Sequence, residues 1–304
     1  MRPPIDIDRI SKQYEDIKAL KDISFQVNEA EIFGLIGPDG AGKTSMFRIL
    51  TTLLLPDAGE AYVQGYHIIK DYKKIREIIG YMPGRFSLYQ DLSVEENLSL
   101  FASIFGTTIE ENYELVKEIY SQIEPFKDRR AGQLSGGMKQ KLALSCALIH
   151  KPEVLFLDEP TTGVDPVSRK EFWGILKNLK AHGITILVST PYMDEANMCD
   201  NIGLIQNGEI LSIDTPAKMM QDFDRDIYAI KTKHKYKFLN VLKSYEYTYS
   251  VFSFGDSIHY IDKRNNLRDS QLISSFNKMD LPEFIIEKTN PTVEDCFMDL
   301  MKQQ

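Results

Sequence analysis

The stretch that decides the fold is EIFGLIGPDGAGKTSMFRIL, residues 31–50. Its apolar opening predicts a buried strand over residues 31–36, and its last part is typical of a helix. Between them, residues 37–44 read GPDGAGKT, the spacing G-x-x-x-x-G-K-T. A glycine-rich loop that joins a strand to a helix can hold phosphate groups, because its backbone N–H groups and the helix N-terminus point at one anion. The stretch therefore predicts an α/β domain with a phosphate-binding loop.

The residue types in this loop match the chemistry of a nucleoside triphosphate. Glycines let the backbone approach the phosphates closely, Lys43 can reach the β- and γ-phosphates, and Thr44 can ligate Mg²⁺. An ordinary glycine turn before a helix is the alternative, and the strand before the loop argues against it. The predicted cofactor-binding residues of the loop are Gly37, Pro38, Asp39, Gly40, Ala41, Gly42, Lys43, Thr44 and Ser45.

A second element, VLFLDEP, spans residues 154–160. The apolar run predicts a central strand, and ligands bind at the carboxyl ends of such strands in open α/β sheets. Asp158 suits a Mg²⁺ ion, bound directly or through water. Glu159 can polarise a water molecule that attacks the γ-phosphate, so Glu159 and Lys43 are the predicted catalytic residues. Two carboxylates that merely cap a turn are the weaker alternative beside a phosphate loop.

The third element is LSGGM, residues 134–138, at the start of a helix-like run. Ser135, Gly136 and Gly137 form a predicted helix N-terminus, whose free N–H groups attract an anion. With GPDGAGKT, VLFLDEP and the TTGVD that follows, LSGGM resembles the signature of the ABC ATPases, and the resemblance covers residues 1–218. It implies a P-loop NTPase fold of ABC type, with a mixed sheet core and a helical subdomain inserted at about residues 85–150.

The resemblance also implies how the site is completed. Two chains of the family close head to tail over two ATP molecules, and Ser135, Gly136 and Gly137 then contact the γ-phosphate held by the partner. Tyr14 matches the aromatic residue on which these proteins stack adenine; an ordinary surface tyrosine is the alternative. Met138 replaces the glutamine usual in the family, which is a mild departure.

Two positions depart further from the family pattern. The strand ILVST is followed in the family by a histidine that contacts the γ-phosphate, and here that residue is Pro191. The family's glutamine that touches Mg²⁺ and the attacking water is replaced by Gly84. Neither Gln90, six residues on, nor His182, before the strand, is expected to substitute. These losses predict a degenerate nucleotide site that still binds ATP, as in one half of an asymmetric ABC pair.

The chain looks closest to bacterial exporters in which two ATPase domains serve a separate permease, with multidrug efflux the role often inferred. In the family, the loop at residues 84–92 meets a cytoplasmic helix of the permease. The side chains of Arg85, Phe86, Leu88 and Tyr89 predict either a docking surface there or part of the subdomain core, and both readings remain open. The alternatives are a regulatory subunit that binds ATP with essentially no hydrolysis, and a soluble ABC protein of translation or DNA repair.

The region after Thr215-Pro216 differs in composition, since it is rich in Tyr, Phe and Lys. It predicts a small α+β domain over residues 219–304 with a terminal helix in TVEDCFMDLMK, where Thr292 and Asp295 have capping-box spacing. The predicted order is strand 226–231, helix 235–243, strand 246–252, strand 257–262, helix 268–278 and strand 283–288.

Composition excludes several classes of protein. The net charge of −8 is spread without a basic stripe, which argues against nucleic-acid binding. The three cysteines show no paired spacing, as in a reduced cytosolic protein. No run of about 18 apolar residues exists, so we expect membrane contact only through the permease. The predicted location is the cytoplasm, peripheral on the inner face of the cell membrane.

Overall fold

The computed structural model describes residues 2–264, 267, 269–279 and 281–302. They divide into two compact units, Met1–Pro216 and Ala217–Gln304. The strands of the first unit are β1 (Ile5–Tyr14), β2 (Ile17–Val27), β3 (Ile32–Ile36), β4 (Ala58–Val63), β5 (Tyr66–His67), β6 (Ile79–Met82), β7 (Val154–Asp158), β8 (Thr185–Thr190), β9 (Asn201–Gln206) and β10 (Glu209–Asp214). Its helices are α1 (Lys43–Leu50), α2 (Tyr72–Ile78), α3 (Val94–Ile104), α4 (Ile109–Tyr120), α5 (Gly136–Leu148) and α6 (Pro166–Ala181).

The main sheet of the first unit has the strand order β10-β9-β3-β8-β7-β6 within the described residues. Strands β9, β3, β8, β7 and β6 run parallel, and β10 pairs antiparallel with β9. Every residue of β3, β7 and β8 is buried, as the continuous apolar runs predict. The register pairs Ile36 with Thr190 and Asp158 with Ser189, so these three strands end at one edge of the sheet.

A second, antiparallel sheet in the order β2-β1-β4-β5 completes this core. Phe25 of β2 stacks on Phe33 of β3 with ring centroids 5.0 Å apart. Helix α1 packs between the sheets through Met46 and Phe47, which are fully buried. The strand β1 ends at Tyr14, so this sheet sets the position of that residue.

Helices α3, α4 and α5 lie in the chain between β6 and β7, where the sequence predicts the helical insertion. Two of them begin with complete capping boxes, Ser93 with Glu96 and Thr108 with Glu111. The mixed sheet core with its helices confirms the predicted fold class. No described helix combines the length and the apolar character needed to span a bilayer.

The second unit confirms the predicted βαββαβ order. Its four-stranded antiparallel sheet, counted in the described residues, has the order β12-β13-β11-β14, and Tyr260 and Phe276 are among the side chains of its core. The capping box of Thr292 and Asp295 opens the terminal helix, as predicted. Residue 268, the predicted start of the preceding helix, lies outside the described residues. The elements are α7 (Pro216–Gln221), β11 (Ile227–Lys231), α8 (Lys235–Lys243), β12 (Thr248–Phe254), β13 (Ser257–Asp262), α9 (Asp269–Asn277), β14 (Ile285–Thr289) and α10 (Val293–Leu300).

Strands β1, β4, β5, β6 and β10 were not predicted, whereas β2 and β9 match strands that the sequence predicts at residues 22–28 and 202–206. In β1 the pairing register shifts between Ile7 and Ile10, and Arg9 has a left-handed φ of 50°. Such a bulge breaks the alternation of apolar and polar residues that identifies a strand in sequence.

Candidate nucleotide site

The loop between β3 and α1 is shaped by close backbone contacts at two glycines. A Cβ atom on Gly37 would lie 2.1 Å from the carbonyl oxygen of Ile205. Gly42 has a φ of 108°, and a Cβ there would lie 2.4 Å from the carbonyl oxygen of Ala19. Only glycine fits such positions without displacement of the backbone. The chain therefore turns tightly enough for α1 to begin at Lys43, and the N-terminus of that helix faces the loop.

Lys43 is almost completely buried, with 3% of its surface exposed. Its Nζ atom donates hydrogen bonds to the carbonyl oxygens of Gly37 and Pro38, at 2.7 and 2.9 Å. Glu159 Oε1 lies 3.2 Å from the same Nζ atom. A buried ammonium group at the loop thus meets a carboxylate from the end of β7, and the ion pair joins two of the predicted motifs.

Asp158 is buried at the end of β7, and Ser189 Oγ donates a hydrogen bond to its Oδ1 atom at 2.7 Å. The other carboxylate oxygen, Oδ2, accepts no hydrogen bond from any residue that the structure describes. Asp158 is also close enough to affect Tyr81, whose pKa is raised to about 12, first by burial and then by the charge of Asp158. Tyr81 therefore stays neutral beside this carboxylate.

Glu159 has a left-handed backbone, with a φ of 51°. For a residue other than glycine this conformation costs roughly 1–3 kcal/mol and is found mostly where neighbours enforce it. Here Ser189 does so, because the N–H of Glu159 donates to Ser189 O at 3.1 Å and to Ser189 Oγ at 2.9 Å. The same serine thus orients both acidic residues.

Thr44 is exposed at the start of α1, and Tyr14 lies nearby at the end of β1. The Tyr14 hydroxyl is 3.3 Å from Ser45 Oγ, and 41% of the tyrosine surface is exposed. The sheet order therefore brings Tyr14 to the phosphate loop, although the two are well separated in sequence. Asp39 and Gly40 are exposed at the tip of the loop, and Ala41 is buried beneath it.

Ser135 caps helix α5, and its Oγ accepts a hydrogen bond from Met138 N at 3.4 Å. Ser135 and Gly136 are exposed, and Gly137 is half-buried. In the part of the chain that the structure describes, no hydrogen bond or ion pair joins these three residues to the phosphate loop. They form a helix terminus apart from the phosphate loop, with Ser135 and Gly136 on the surface of this chain.

The two departing positions lie beside this site. A Cβ atom on Gly84 would lie 3.1 Å from the backbone oxygen of Asp158 and 3.7 Å from its Oδ2. Pro191 directly follows Thr190, whose carbonyl oxygen accepts a hydrogen bond from Gly37 N at 3.3 Å. His182 ends α6 before β8 begins, with Nδ1 2.7 Å from Asn178 O.

A polar cluster after β8 was missed by the sequence analysis. Its centre is the buried Glu195, whose Oε2 accepts hydrogen bonds from Thr190 Oγ1 at 2.6 Å and Thr161 Oγ1 at 3.0 Å. Arg169 Nη1 lies 3.7 Å from Glu195 Oε1. The cluster ties the end of β8 to the turn after Glu159 and to α6. The sequence signal, two adjacent acidic residues in YMDEA, is too common to identify the cluster.

Among the described residues, no group of three or more His, Cys, Asp and Glu side chains is arranged to hold a metal ion. In nucleotide sites Mg²⁺ is usually held by one or two protein groups together with phosphates and water. The candidates are the exposed Thr44 hydroxyl and the Oδ2 atom of Asp158.

The fold and this arrangement define a P-loop nucleotide-binding protein, and comparison with known proteins gives the family. Residues 20–162 match the family model described as ABC transporter. The chain is 38% identical to the Nod factor export ATP-binding protein I of Burkholderia pseudomallei (strain 1710b) over 221 residues, covering 72% of this chain and 73% of that protein. This chain belongs to the ABC transporter ATP-binding family.

Two further matches agree. The probable multidrug ABC transporter ATP-binding protein YbhF of Escherichia coli (strain K12) is 38% identical over 290 residues, or 94% of this chain. The chain spans only 50% of the length of YbhF. A solved dimeric structure of the ATP-binding cassette MJ0796, in a post-hydrolysis state bound to ADP and Pi, has a TM-score of 0.63 at 27% identity. That match covers 69% of this chain and 98% of the other.

Proposed function

We propose that this chain is an ATP-hydrolysing subunit that powers export through a separate membrane permease, on the cytoplasmic face of the cell membrane. The observation that carries the proposal is the 3.2 Å ion pair between Lys43 and Glu159. It joins the phosphate loop to the acidic end of β7 at the edge of the sheet where ligands of such folds bind. The names of the relatives, which concern multidrug and Nod factor export, support the export role.

In this proposal, the loop of residues 37–45 binds the triphosphate of ATP through backbone N–H groups other than those of Pro38, which has none, and Gly37, whose N–H donates to Thr190 O. Lys43 exchanges its contacts with Glu159 and the loop carbonyls for phosphate oxygens. The exchange frees the Glu159 carboxylate to orient a water molecule and accept its proton. Thr44 and Asp158 would hold Mg²⁺, which neutralises phosphate charge when bound.

The site lacks two contacts that the family uses in the transition state, at Gly84 and Pro191. If each resembles a lost oxyanion donor, worth about 2.7–4 kcal/mol, each loss lowers the rate on the order of 10²- to 10³-fold. We therefore propose weak turnover at this chain's own site. The exposed Ser135, Gly136 and Gly137 would complete the working site of a second ABC ATPase chain in an asymmetric head-to-tail dimer.

The permease would dock at the loop of residues 84–92. The side chains of this loop divide between the two predicted roles: Leu88 is buried, whereas Arg85 and Tyr89 are exposed, Tyr89 by 59%. Phe86 is half-buried, with Lys139 Nζ 5.5 Å from its ring centroid. Arg85 and Tyr89 are therefore the proposed docking residues, and Leu88 belongs to the core.

A regulatory subunit that binds ATP without hydrolysis is the second candidate, and the losses at Gly84 and Pro191 favour it. The two candidates share ATP binding and differ in turnover. A soluble role in translation or DNA repair has no comparable support.

Both candidate functions are tested by isothermal titration calorimetry of the purified chain with Mg²⁺-ATP. We expect measurable binding, and a loss of about 10- to 100-fold in affinity for Lys43→Ala, because a hydrogen bond to a charged group is worth about 1.5–3 kcal/mol. Lys74→Ala is the matched control, since Lys74 forms an exposed ion pair with Glu77. Absence of binding by the unaltered chain would refute both candidates. Isolation of the chain from membranes together with an integral membrane protein tests the export role.

A further inference from the structure

Asn97 is a fully buried polar residue in the first turn of α3 that the proposed chemistry does not use. Its Oδ1 atom accepts a hydrogen bond from Tyr89 N at 3.0 Å. Its Nδ2 atom lies 2.9 Å from Tyr89 O, 2.9 Å from Ser93 O and 3.3 Å from Leu92 O. In the described part of the chain, no other side chain hydrogen-bonds the backbone of Tyr89 or Leu92. One amide therefore fixes the exposed end of the 84–92 loop.

The same loop is hydrogen-bonded to the segment that leads into helix α5. Ala131 N donates to Leu92 O at 2.9 Å, and Gly132 N donates to Gln90 O at 2.9 Å. A Cβ on Gly132 would lie only 3.2 Å from Gln90 O, so the two backbones are in close contact. Ser135, the N-cap of α5, lies three residues beyond Gly132.

These contacts form a continuous path. Asn97 holds Tyr89 and Leu92. Leu92 and the nearby Gln90 accept hydrogen bonds from Ala131 and Gly132, and Ser135 lies three residues beyond Gly132. The path consists of short backbone hydrogen bonds and one buried side chain, with no flexible surface side chain in it. A displacement of the loop must therefore move the segment before Ser135, or break several of these partly buried hydrogen bonds at once.

We propose that Asn97 is a positioning residue that joins the 84–92 loop and residues 131–135 into one body, so that movement at Tyr89 repositions Ser135. The inference rests on the proposed function, which assigns the permease to the loop and a phosphate to Ser135. It adds the residue through which the two are coupled.

If Asn97 only stabilised the fold, another buried asparagine of these helices would have the same effect when replaced. Asn112 is such a residue and serves as the control. It is 7% exposed, and its Nδ2 donates to Thr107 Oγ1 at 2.8 Å and to Ile149 O at 2.7 Å. Asn112→Ala removes hydrogen bonds of a buried amide, as Asn97→Ala does, but the partners of Asn112, Thr107 and Ile149, lie outside both the 84–92 loop and residues 131–135.

The test is hydrogen exchange of the full chain, which requires neither nucleotide nor permease. We expect Asn97→Ala to speed exchange of the amides at 131–132 by tenfold or more, and Asn112→Ala to leave them unchanged. Gly132→Ala disturbs the backbone contact between Gly132 and Gln90 and lies at an exposed position. It is the substitute variant if Asn97→Ala fails to fold. The proposal is overturned if exchange at residues 131–132 is unchanged in Asn97→Ala, or if it rises equally in Asn112→Ala. If Asn97→Ala does not fold, unchanged exchange in Gly132→Ala overturns it.

A second readout connects the exchange to activity. In the complex with its permease, Asn97→Ala should lower ATPase activity at least fivefold, whereas the affinity of the isolated chain for Mg²⁺-ATP stays within twofold. Equal activity of Asn97→Ala and Asn112→Ala would overturn the coupling role. Failure of ATP binding in the unaltered chain would instead overturn the proposed function. The exchange result would still decide whether Asn97 joins the 84–92 loop to residues 131–135.

Discussion

Strands β7 and β8 lie side by side, yet their carboxyl ends carry opposite kinds of residue. Strand β7 ends in Asp158 and continues into Glu159, two carboxylates at the phosphate loop. Strand β8 ends in Thr190 and continues into Pro191, which has no side-chain donor and no backbone N–H. Ser189 nevertheless bonds to both acidic residues. Strand β8 thus positions the acidic residues of β7, although its own end carries no group that can donate a hydrogen bond at position 191.

The difference shows which functions can be separated within one site. Groups proposed to bind ATP and Mg²⁺ are present, whereas Gly84 and Pro191 have no polar side chain with which to contact a γ-phosphate. The buried cluster of Glu195 holds the end of β8 in place without the histidine. An ordered site with weak turnover is the physical result that we expect.

The largest expected effect lies outside the chain's own site, at Ser135. Ser135→Arg places a bulky cation on the exposed terminus of α5, where it would block the partner's nucleotide without disturbing the core. In the assembled transporter we expect ATPase activity to fall at least about 100-fold, the scale of a lost transition-state contact. Ser135→Ala is the control: it removes the N-cap, worth about 1 kcal/mol of stability, but adds no obstruction. Retained ATPase activity in Ser135→Arg would contradict the role assigned to the signature.

Introducing the family's side chains at positions 84 and 191 tests whether their replacement is the reason for weak turnover. Pro191→His with Gly84→Gln should raise turnover of the isolated chain tenfold or more, since each lost contact is assigned about 2.7–4 kcal/mol before non-additivity. Gly84 can accept a side chain, because its φ is not left-handed and the 3.1 Å contact needs only a small shift. Gly174→Gln, on an exposed helical glycine with open space, is the control. No increase in turnover would mean that loss of phosphate sensing is not the reason for a weak site.

Adenine binding should be less sensitive, because it depends on one exposed ring. Tyr14→Ala is expected to weaken Mg²⁺-ATP binding about tenfold, within the roughly 1–3 kcal/mol of base stacking on an aromatic ring. Tyr14→Phe keeps the ring and loses only the contact with Ser45, so its affinity should change less than twofold. Equal titration curves for Tyr14→Ala and the unaltered chain would leave Tyr14 as an ordinary surface residue.

Features that depend on residues close together in the sequence were predicted, and features that depend on distant partners were not. The strands β3, β7 and β8 were predicted because burial on both faces leaves a continuous apolar run. The second unit was predicted because its turns and capping box act over a few residues. Asn97 and Glu195 were missed, since their partners are backbone groups or hydroxyls that only the folded chain brings near. Nothing in ENL or DEA distinguishes a buried polar residue from a surface one.

The smallest expected effect is that of Glu159→Gln, at the end of β7. Glu159→Gln removes the proposed base and the 3.2 Å ion pair with Lys43, yet it keeps the size of the side chain. If the partner's site performs most of the hydrolysis, ATPase activity of the assembled transporter should fall by less than about twofold, because the affected site contributes little. The measurement is steady-state phosphate release from the complex, beside Ser135→Arg prepared in the same way. A loss in Glu159→Gln as severe as that in Ser135→Arg would show that this chain's own site turns over, since the carboxylate at the end of β7 would then limit the rate despite the losses at Gly84 and Pro191.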